Sequence, residues 1–269
     1  MNERAADPLA SASSLLWLMA VVVAVFSAQV AIGYTRQALR EPRRRARVLC
    51  LAAAALVLGT GIWSAMLLGV SSDALPYPLG YRALGLAAGW LCAVLPAALA
   101  MAMLARWRRP LVVVAAGVLV GAGAVATDWV LVLAAGLLPG ISWQYETIGL
   151  AGPLVASGCV GGLWIAFLAA GYAGRWRRSW RIVAAGMVGF SIIVGQELVL
   201  AAAVMSSQLS SIYRREVPAT ALCLLAGIAV PMLLLVLMLD LRMRRHVLDP
   251  NALPPRKRQR VRRGRSLDG

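Results

Sequence analysis

Two acidic residues lie inside long apolar stretches of this 269-residue sequence, where charged side chains are rare. Asp128 and Glu197 are each embedded among Ala, Val, Leu and Gly. A charge within a membrane span is costly and usually faces the bundle interior or a wet cavity. Such a pair could hold a proton between them, because burial favours the neutral carboxyl, and Gln196 could supply a hydrogen-bonding amide. Structural hydrogen bonding, or exposure at the membrane interface, would account for each acid as well.

Sulfur and imidazole groups offer little further chemistry. Met66 lies in another apolar stretch; its thioether would suit Cu(I), but methionine in a membrane helix is far more often a packing residue. The cysteines, which lack metal-site spacing and are expected to be free, are Cys50, Cys92, Cys159 and Cys223. The single histidine, His246, follows two arginines near the C-terminus. Since no nucleophile–base pair or phosphate-binding loop is evident, we expect no enzymatic activity.

Glycine-rich segments recur ahead of three of these polar or sulfur-bearing residues. They begin with Gly-Thr-Gly-Ile-Trp-Ser, Gly-Ala-Gly-Ala and Gly-Phe-Ser-Ile, about 62 and 68 residues apart. A near-constant spacing is the mark of an internal repeat, so three helix-pair repeats are predicted. The residues of this predicted scaffold are Gly59, Gly61, Trp63, Gly121, Gly123 and Gly189.

These segments resemble the MHYT family of bacterial integral-membrane sensors over roughly residues 14 to 206. That family repeats Gly-x-Gly-Ile-x-x-Met-His-Tyr/Phe-x-Gly-Met three times. The likeness is sharpest at 59–81, where Trp63 and Ser64 precede Met66 and a Leu-Pro-Tyr-Pro turn follows. Alignment on the glycines places Met66, Asp128 and Gln196 where the family has histidine.

The resemblance implies a sensory or signalling role. The family is thought to bind copper through its histidines and to sense oxygen, carbon monoxide or nitric oxide. All three histidines are absent here, so we expect no cofactor and no bound metal. A cytoplasmic signalling protein is the partner through which such a chain would act.

Composition predicts a membrane protein. Hydrophobic residues make up 61% of the chain and charged residues 14%, against about 25% charged residues in soluble domains. Several apolar runs exceed the roughly 18 residues that cross a bilayer as a helix. We therefore predict an all-α fold, a polytopic membrane bundle of seven transmembrane helices. The expected spans are 14–34, 48–70, 83–105, 111–138, 148–172, 182–206 and 218–241.

Positive charge predicts the orientation of the chain. The loops after the odd-numbered spans, with the C-terminal tail, hold 23 of the 27 Lys and Arg residues. Because such loops stay inside the cell, the N-terminus is predicted outside and the C-terminus in the cytoplasm. Helices two, four and six then run outward and bring Met66, Asp128 and Gln196 to one depth in the outer half. We expect those three helices to contact one another there.

The domain boundaries follow from the same pattern. Residues 1–13 are an extracytoplasmic N-terminus, 14–241 the membrane domain, and 242–269 a basic, disordered cytoplasmic tail. The tail is expected to bind anionic lipids, and we expect no specific nucleic acid partner. Arg far outnumbers Lys and Ala is abundant, which is typical of a bacterial genome rich in G and C, so the plasma membrane is the expected location.

Three functions stay open from the sequence. The first is an MHYT-type sensor that has lost its copper ligands and signals through a partner. The second is a small proton-coupled transporter or permease that uses Asp128 and Glu197. The third is a structural membrane subunit.

Overall fold

The computed structural model describes residues 8–72, 80–107, 109–138, 142–168, 174–204, 210–211, 213 and 217–247. Seven helical spans within these ranges are long and apolar enough to cross a membrane, which confirms the predicted all-α fold. The first six are α1 (Pro8–Arg40), α2 (Arg44–Ser72), α3 (Ala83–Arg106), α4 (Pro110–Ala134), α5 (Tyr145–Leu168) and α6 (Gly174–Ala202). The seventh consists of α7 (Ala219–Leu224), a π-helical turn (Leu225–Ala229) and α8 (Val230–Val247).

The chain divides into two compact units, Met1–Leu234 and Leu235–Gly269. The described part of the second unit is the remainder of α8, which ends at Val247. Residues 242–247 of the predicted tail are therefore helical. The rest of that tail lies outside the described residues, as do residues 1–7 and the Leu-Pro-Tyr-Pro turn.

The first six helices form a closed ring. Each packs on the next in chain order, and α6 packs on α1. Inside this ring α2, α4 and α6 contact one another pairwise, which confirms the predicted contact of these three helices. Of all the spans, α2 and α6 are the most buried. The even-numbered helices therefore supply the residues at the centre of the ring.

Glycines at matching positions set the spacing between neighbouring helices. Three such glycines lie on α2, α4 and α6, one on each helix. A Cβ atom added to any of them would lie 2.6 to 2.8 Å from a Cα atom of an odd-numbered helix, which is closer than a real Cβ atom comes to another atom. The pairs are Gly59 with Val94 of α3, Gly121 with Ala156 of α5, and Gly189 with Val25 of α1. These glycines let backbones approach as small residues do in membrane helices.

Two residues further along each even-numbered helix, the chain meets its other neighbour in the ring. These pairs are Gly61 with Ser27 of α1, Gly123 with Pro96 of α3, and Ser191 with Gly158 of α5. Each even-numbered helix thus contacts both of its neighbours through the same two positions. The three helix-pair repeats stay a prediction, and this correspondence supports them.

Short antiparallel strands join the connections at one end of the bundle. The pairs are β1 (Gly80–Tyr81) with β6 (Val217–Pro218), β2 (Leu137–Leu138) with β5 (Ser210–Ser211), and β3 (Ser142–Trp143) with β4 (Ala203–Val204). Trp143 of β3 stacks on Trp129 of α4, with ring centroids 4.7 Å apart. The connections after α2, α4 and α6 are therefore fastened together, next to the C-terminal ends of the three inner helices.

Two predicted spans run past the C-terminal ends of the observed helices, whereas α1 extends beyond its predicted end to Arg40 and α6 begins earlier than predicted, at Gly174. The span expected to reach 138 ends at Ala134, because Gly136 adopts a φ of 55° and a left-handed residue in this position terminates a helix. The span expected to reach 206 ends at Ala202, where strand β4 begins. In both cases the apolar sequence continues beyond the helix, so hydropathy alone does not mark the boundary.

The π-helical turn in the seventh span has a local cause. Pro231 has no N–H to donate to the carbonyl of Gly227 four residues earlier, and its ring crowds that carbonyl. The helix widens to a π turn over Leu225–Ala229, just before this proline. Gly227 also lies against Met19 of α1 and Leu68 of α2, so this turn is where the seventh span meets the ring.

Candidate functional site

Three residues singled out from the sequence lie at one level of the inner helices. Met66 is six residues before Ser72, the last residue of α2. Asp128 is six residues before the end of α4, and Gln196 is six residues before the end of α6. At about 1.5 Å per residue, each lies roughly 9 Å from the end of its helix. This equal distance from the three helix ends supports the equal depth predicted from the sequence, which stays a prediction.

All three side chains are buried, and that of Gln196 hydrogen-bonds to the backbone of Met66. Met66 is 0%, Asp128 3% and Gln196 1% exposed. The Nε2 group of Gln196 donates a 2.8 Å hydrogen bond to the backbone carbonyl of Met66. Gly69, one turn after Met66, makes room for this amide, since a Cβ there would lie 2.6 Å from the Cδ of Gln196. Met66 and Gln196 therefore form one junction between α2 and α6.

Asp128 is buried on α4 but makes no hydrogen bond to Met66 or Gln196 in the described part of the chain. Its neighbour Thr127 donates to the carbonyl of Gly123 at 2.7 Å and lies 3.4 Å from the carbonyl of Gly89 on α3. An ionised carboxylate that is buried without a partner is costly, so Asp128 is an unusual group in this position.

Glu197 lies outside the buried centre. Its side chain is exposed, and its Oε1 atom accepts a 2.7 Å hydrogen bond from the indole Nε1 of Trp17 on α1. Consecutive helix residues point about 100° apart, so Gln196 cannot face inward with Glu197 beside it. The predicted polar site therefore contains Met66, Asp128 and Gln196, with Glu197 on its outer side.

Ser64, two residues before Met66 on α2, is a further buried polar residue, and it was not predicted to be a site residue. Its side chain is 0% exposed, and its Oγ atom has no hydrogen-bond partner among the described residues. The Oε1 atom of Gln196 is likewise buried and has no hydrogen-bond partner among the described residues. Such buried polar atoms usually bind ordered water or a polar ligand. A hydroxyl in the middle of an apolar span was the signal in the sequence.

Two hydrogen bonds donated by indole groups link α2 to α3 beside the site. Trp63 donates to the carbonyl of Leu86 at 3.2 Å, and Trp90 donates to the hydroxyl of Thr60 at 3.1 Å. Trp63 itself is buried. Of the predicted scaffold residues, Trp63 therefore acts as a polar link between helices, whereas the five glycines act through close packing.

Tyr81 lies at the end of the bundle, in strand β1. Its side chain is 1% exposed, and its hydroxyl has no hydrogen-bond partner in the described ranges. Burial raises the pKa of this phenol well above its usual value, because a phenolate would lose its hydration. Tyr81 is therefore a neutral hydroxyl at any physiological pH.

The donor atoms at the three equivalent positions do not fit copper. They are one thioether, one carboxylate and one amide, whereas copper sites favour imidazole and thiolate with thioether in support. The amide nitrogen of Gln196 is already engaged with Met66. The described residues contain no group of three or more His, Cys, Asp or Glu arranged to hold a metal.

The arrangement is a polar centre enclosed by apolar helices. Ser64, Asp128 and Gln196 give each of the three inner helices a buried polar side chain, and Asp128 is the one of them that could exchange a proton. The seven apolar spans fit an integral membrane protein. Comparisons with models of protein families, with curated proteins and with solved structures each found no match.

Proposed function

We propose that this protein is an integral membrane sensor of the MHYT type that has exchanged the family's copper ligands for a buried polar centre. The observation that carries the proposal is the placement of Met66, Asp128 and Gln196. They are buried, each six residues before the end of its helix, on three inner helices that contact one another. A change of protonation or ligation at this level would act on α2, α4 and α6 together.

The inner helices are suited to carrying such a change along the membrane. Each runs without interruption from the arginine-rich end to the polar centre. Coupling between distant sites requires an element that both sites bias, and three helices in mutual contact are such an element. In this proposal the output passes to a cytoplasmic partner protein at the arginine-rich end.

The proposed orientation places the polar centre near the outer face of the plasma membrane of a bacterial cell. This orientation is supported by the distribution of basic residues, since 23 Lys and Arg lie on the predicted cytoplasmic side and 4 on the other. Membrane proteins keep their basic loops inside the cell. A C-terminal green fluorescent protein fusion should fluoresce, and a C-terminal alkaline phosphatase fusion should be inactive. The opposite result in both fusions would reverse the proposed direction of signalling.

Hydrogen exchange tests the proposed transmission. The full chain in lipid nanodiscs would be compared with Asp128→Asn, which mimics a permanently neutral carboxyl of the same shape. We expect altered amide exchange at the α1–α2 connection, residues 40–47, at the far end of the bundle. Glu146→Gln, an exposed acid in the first turn of α5, is the control and should leave that segment unchanged. If amide exchange in Asp128→Asn changes only in the outer half of α4, the proposal that the protein is a sensor is contradicted.

A proton-coupled transporter is the second candidate. It is favoured by the burial of Asp128, since buried acids mark proton paths in membranes. Proteoliposomes containing a pH-sensitive dye would measure proton flux directly. Proton flux that is lost in Asp128→Asn supports the transporter. Absence of proton flux, together with altered amide exchange at residues 40–47 in Asp128→Asn, supports the sensor.

A further inference from the structure

A cavity of about 300 Å³ opens at the arginine-rich end of the bundle, far from the polar centre. It lies between the C-terminal parts of α1, α3 and α5 and the beginning of α4. Its volume is at the lower end of the range for sites that bind small molecules, about 300–1,000 Å³. Neither the proposed sensing role nor the predicted tail accounts for it.

The floor of this cavity is apolar. It is formed by Ile32, Met101, Val113 and Leu163, all of which are buried. One hydroxyl reaches the floor, that of Thr35, and it already donates to the carbonyl of Ala31 at 2.8 Å. The chamber therefore offers a hydrocarbon surface with little hydrogen bonding, which suits an aliphatic chain.

The rim has a different character. Arg36 and Arg40 of α1 line the rim. Because they are four residues apart, they lie on one face of that helix. Trp107 lies opposite, with the guanidinium of Arg106 5.4 Å from its ring centroid. Among the residues that the structure describes, no acidic side chain lines the cavity. Glu41, which follows Arg40, accepts from the backbone N–H of Arg43 at 3.4 Å.

We propose that this cavity binds one anionic phospholipid, with its phosphate on Arg36 and Arg40 and one acyl chain in the apolar chamber. Guanidinium groups bind phosphate oxygens in paired, charge-assisted hydrogen bonds. Basic pockets between helices, at the level of the headgroups, select anionic lipids over zwitterionic ones. The combination of a hydrocarbon floor and a cationic rim in one cavity favours a lipid over a free inorganic anion as the ligand. This site is separate from diffuse attraction of lipid to the basic tail.

Photo-crosslinking to the full chain in nanodiscs tests the site. The probe is a phosphatidylglycerol with a diazirine on its acyl chain, and labelled residues are identified by mass spectrometry. We expect labelling of the segments that hold Met101, Leu104 and Phe167. An excess of unlabelled phosphatidylglycerol should displace the probe, and phosphatidylcholine or inorganic phosphate should not. Displacement by inorganic phosphate at equal concentration would identify a free-anion site and overturn the proposal.

Two variants separate the parts played by charge and shape. The double variant Arg36→Gln/Arg40→Gln should reduce labelling of the cavity roughly tenfold. Its matched control, Arg44→Gln/Arg45→Gln, removes the same charge from two exposed residues at the same end and should label like the wild type. Ala166→Phe keeps both arginines and fills the chamber, and should also prevent labelling. Equal loss in the control, or undiminished labelling in Ala166→Phe, would show that no lipid occupies the cavity.

Discussion

The amide of Gln196 donates a 2.8 Å hydrogen bond to the backbone carbonyl of Met66, and the absence of a side chain at Gly69 makes the approach possible. Gly69→Ala would place a Cβ against the amide, so that Gln196 must move and give up its bond. We expect a loss of about 1–3 kcal/mol in the free energy of unfolding. Steric trapping in bicelles would measure it.

A double-mutant cycle identifies the cause of that loss. In a Gln196→Ala background the clash is relieved, and Gly69→Ala should be nearly neutral. Gly186→Ala on α6 is the control, since a Cβ there meets nothing within 4 Å. Equal costs of Gly69→Ala in both backgrounds would show that the glycine is needed for some other contact.

The bond between Trp17 and Glu197 fastens α1 to α6 near the strand-bearing end of the bundle. Glu197→Gln keeps an oxygen acceptor for the indole N–H and should leave stability almost unchanged. Glu197→Leu removes the acceptor and should lower the free energy of unfolding by about 1 kcal/mol. Thermal unfolding of the purified variants, referred to the same detergent, would show this order.

Trp17→Phe provides the check on that assignment, because it removes the donor and keeps an aromatic ring. In this background Glu197→Leu should cost little more than Glu197→Gln. If Glu197→Leu remains as harmful without the indole as with it, the carboxylate acts through another contact, and its role in joining α1 to α6 is refuted.

Much of this architecture could be predicted from the sequence because its determinants are local and repeated. Apolar length decides which segments can span a membrane, and the phase of the repeated glycines predicts that Met66, Asp128 and Gln196 share one depth. The contact of α2, α4 and α6 followed from their shared direction. The close approaches at Gly59, Gly121 and Gly189 occur where the repeated glycines predicted a scaffold.

What escaped prediction depends on which way a side chain points and on contacts between distant segments. Glu197 was grouped with Gln196 by sequence adjacency, but on a helix adjacency separates directions. Ser64 gave only the weak signal of a single hydroxyl. The cavity at Arg36 and Arg40 needs three further helices to close it, and no pattern within one span encodes that assembly. Strand pairing such as Tyr81 with Val217 joins residues far apart in the chain.

The donor set at the polar centre predicts loss of the family's copper chemistry. One thioether with two oxygen-type groups is a poor Cu(I) site. Purified protein should carry well below one copper per chain by elemental analysis, and Met66→Ala should not change that value. Met232→Ala, an exposed methionine on α8, is the control. Stoichiometric copper that disappears only in Met66→Ala would show that the site was remodelled rather than abandoned.

The three equivalent glycines give the strongest test of the ring. In Gly59→Ala, Gly121→Ala and Gly189→Ala the new methyl group meets the backbone of α3, α5 and α1 respectively. Backbone cannot move aside as a flexible side chain can, so each substitution should cost about 1–3 kcal/mol in the free energy of unfolding. Because the contacts lie at separate interfaces, the costs should add within about 0.5 kcal/mol in the double variants.

Three other glycines on the same helices or their neighbours serve as matched controls. Gly149, Gly152 and Gly186 have open space where a Cβ would lie. Alanine there should be neutral or stabilise by up to about 1 kcal/mol, since alanine is the better helix former. The comparison is sharpest on α6, where Gly186 and Gly189 are three residues apart. A small effect at Gly189, or an equal one at Gly186, would mean that α6 does not pack on α1 as closely as the ring requires.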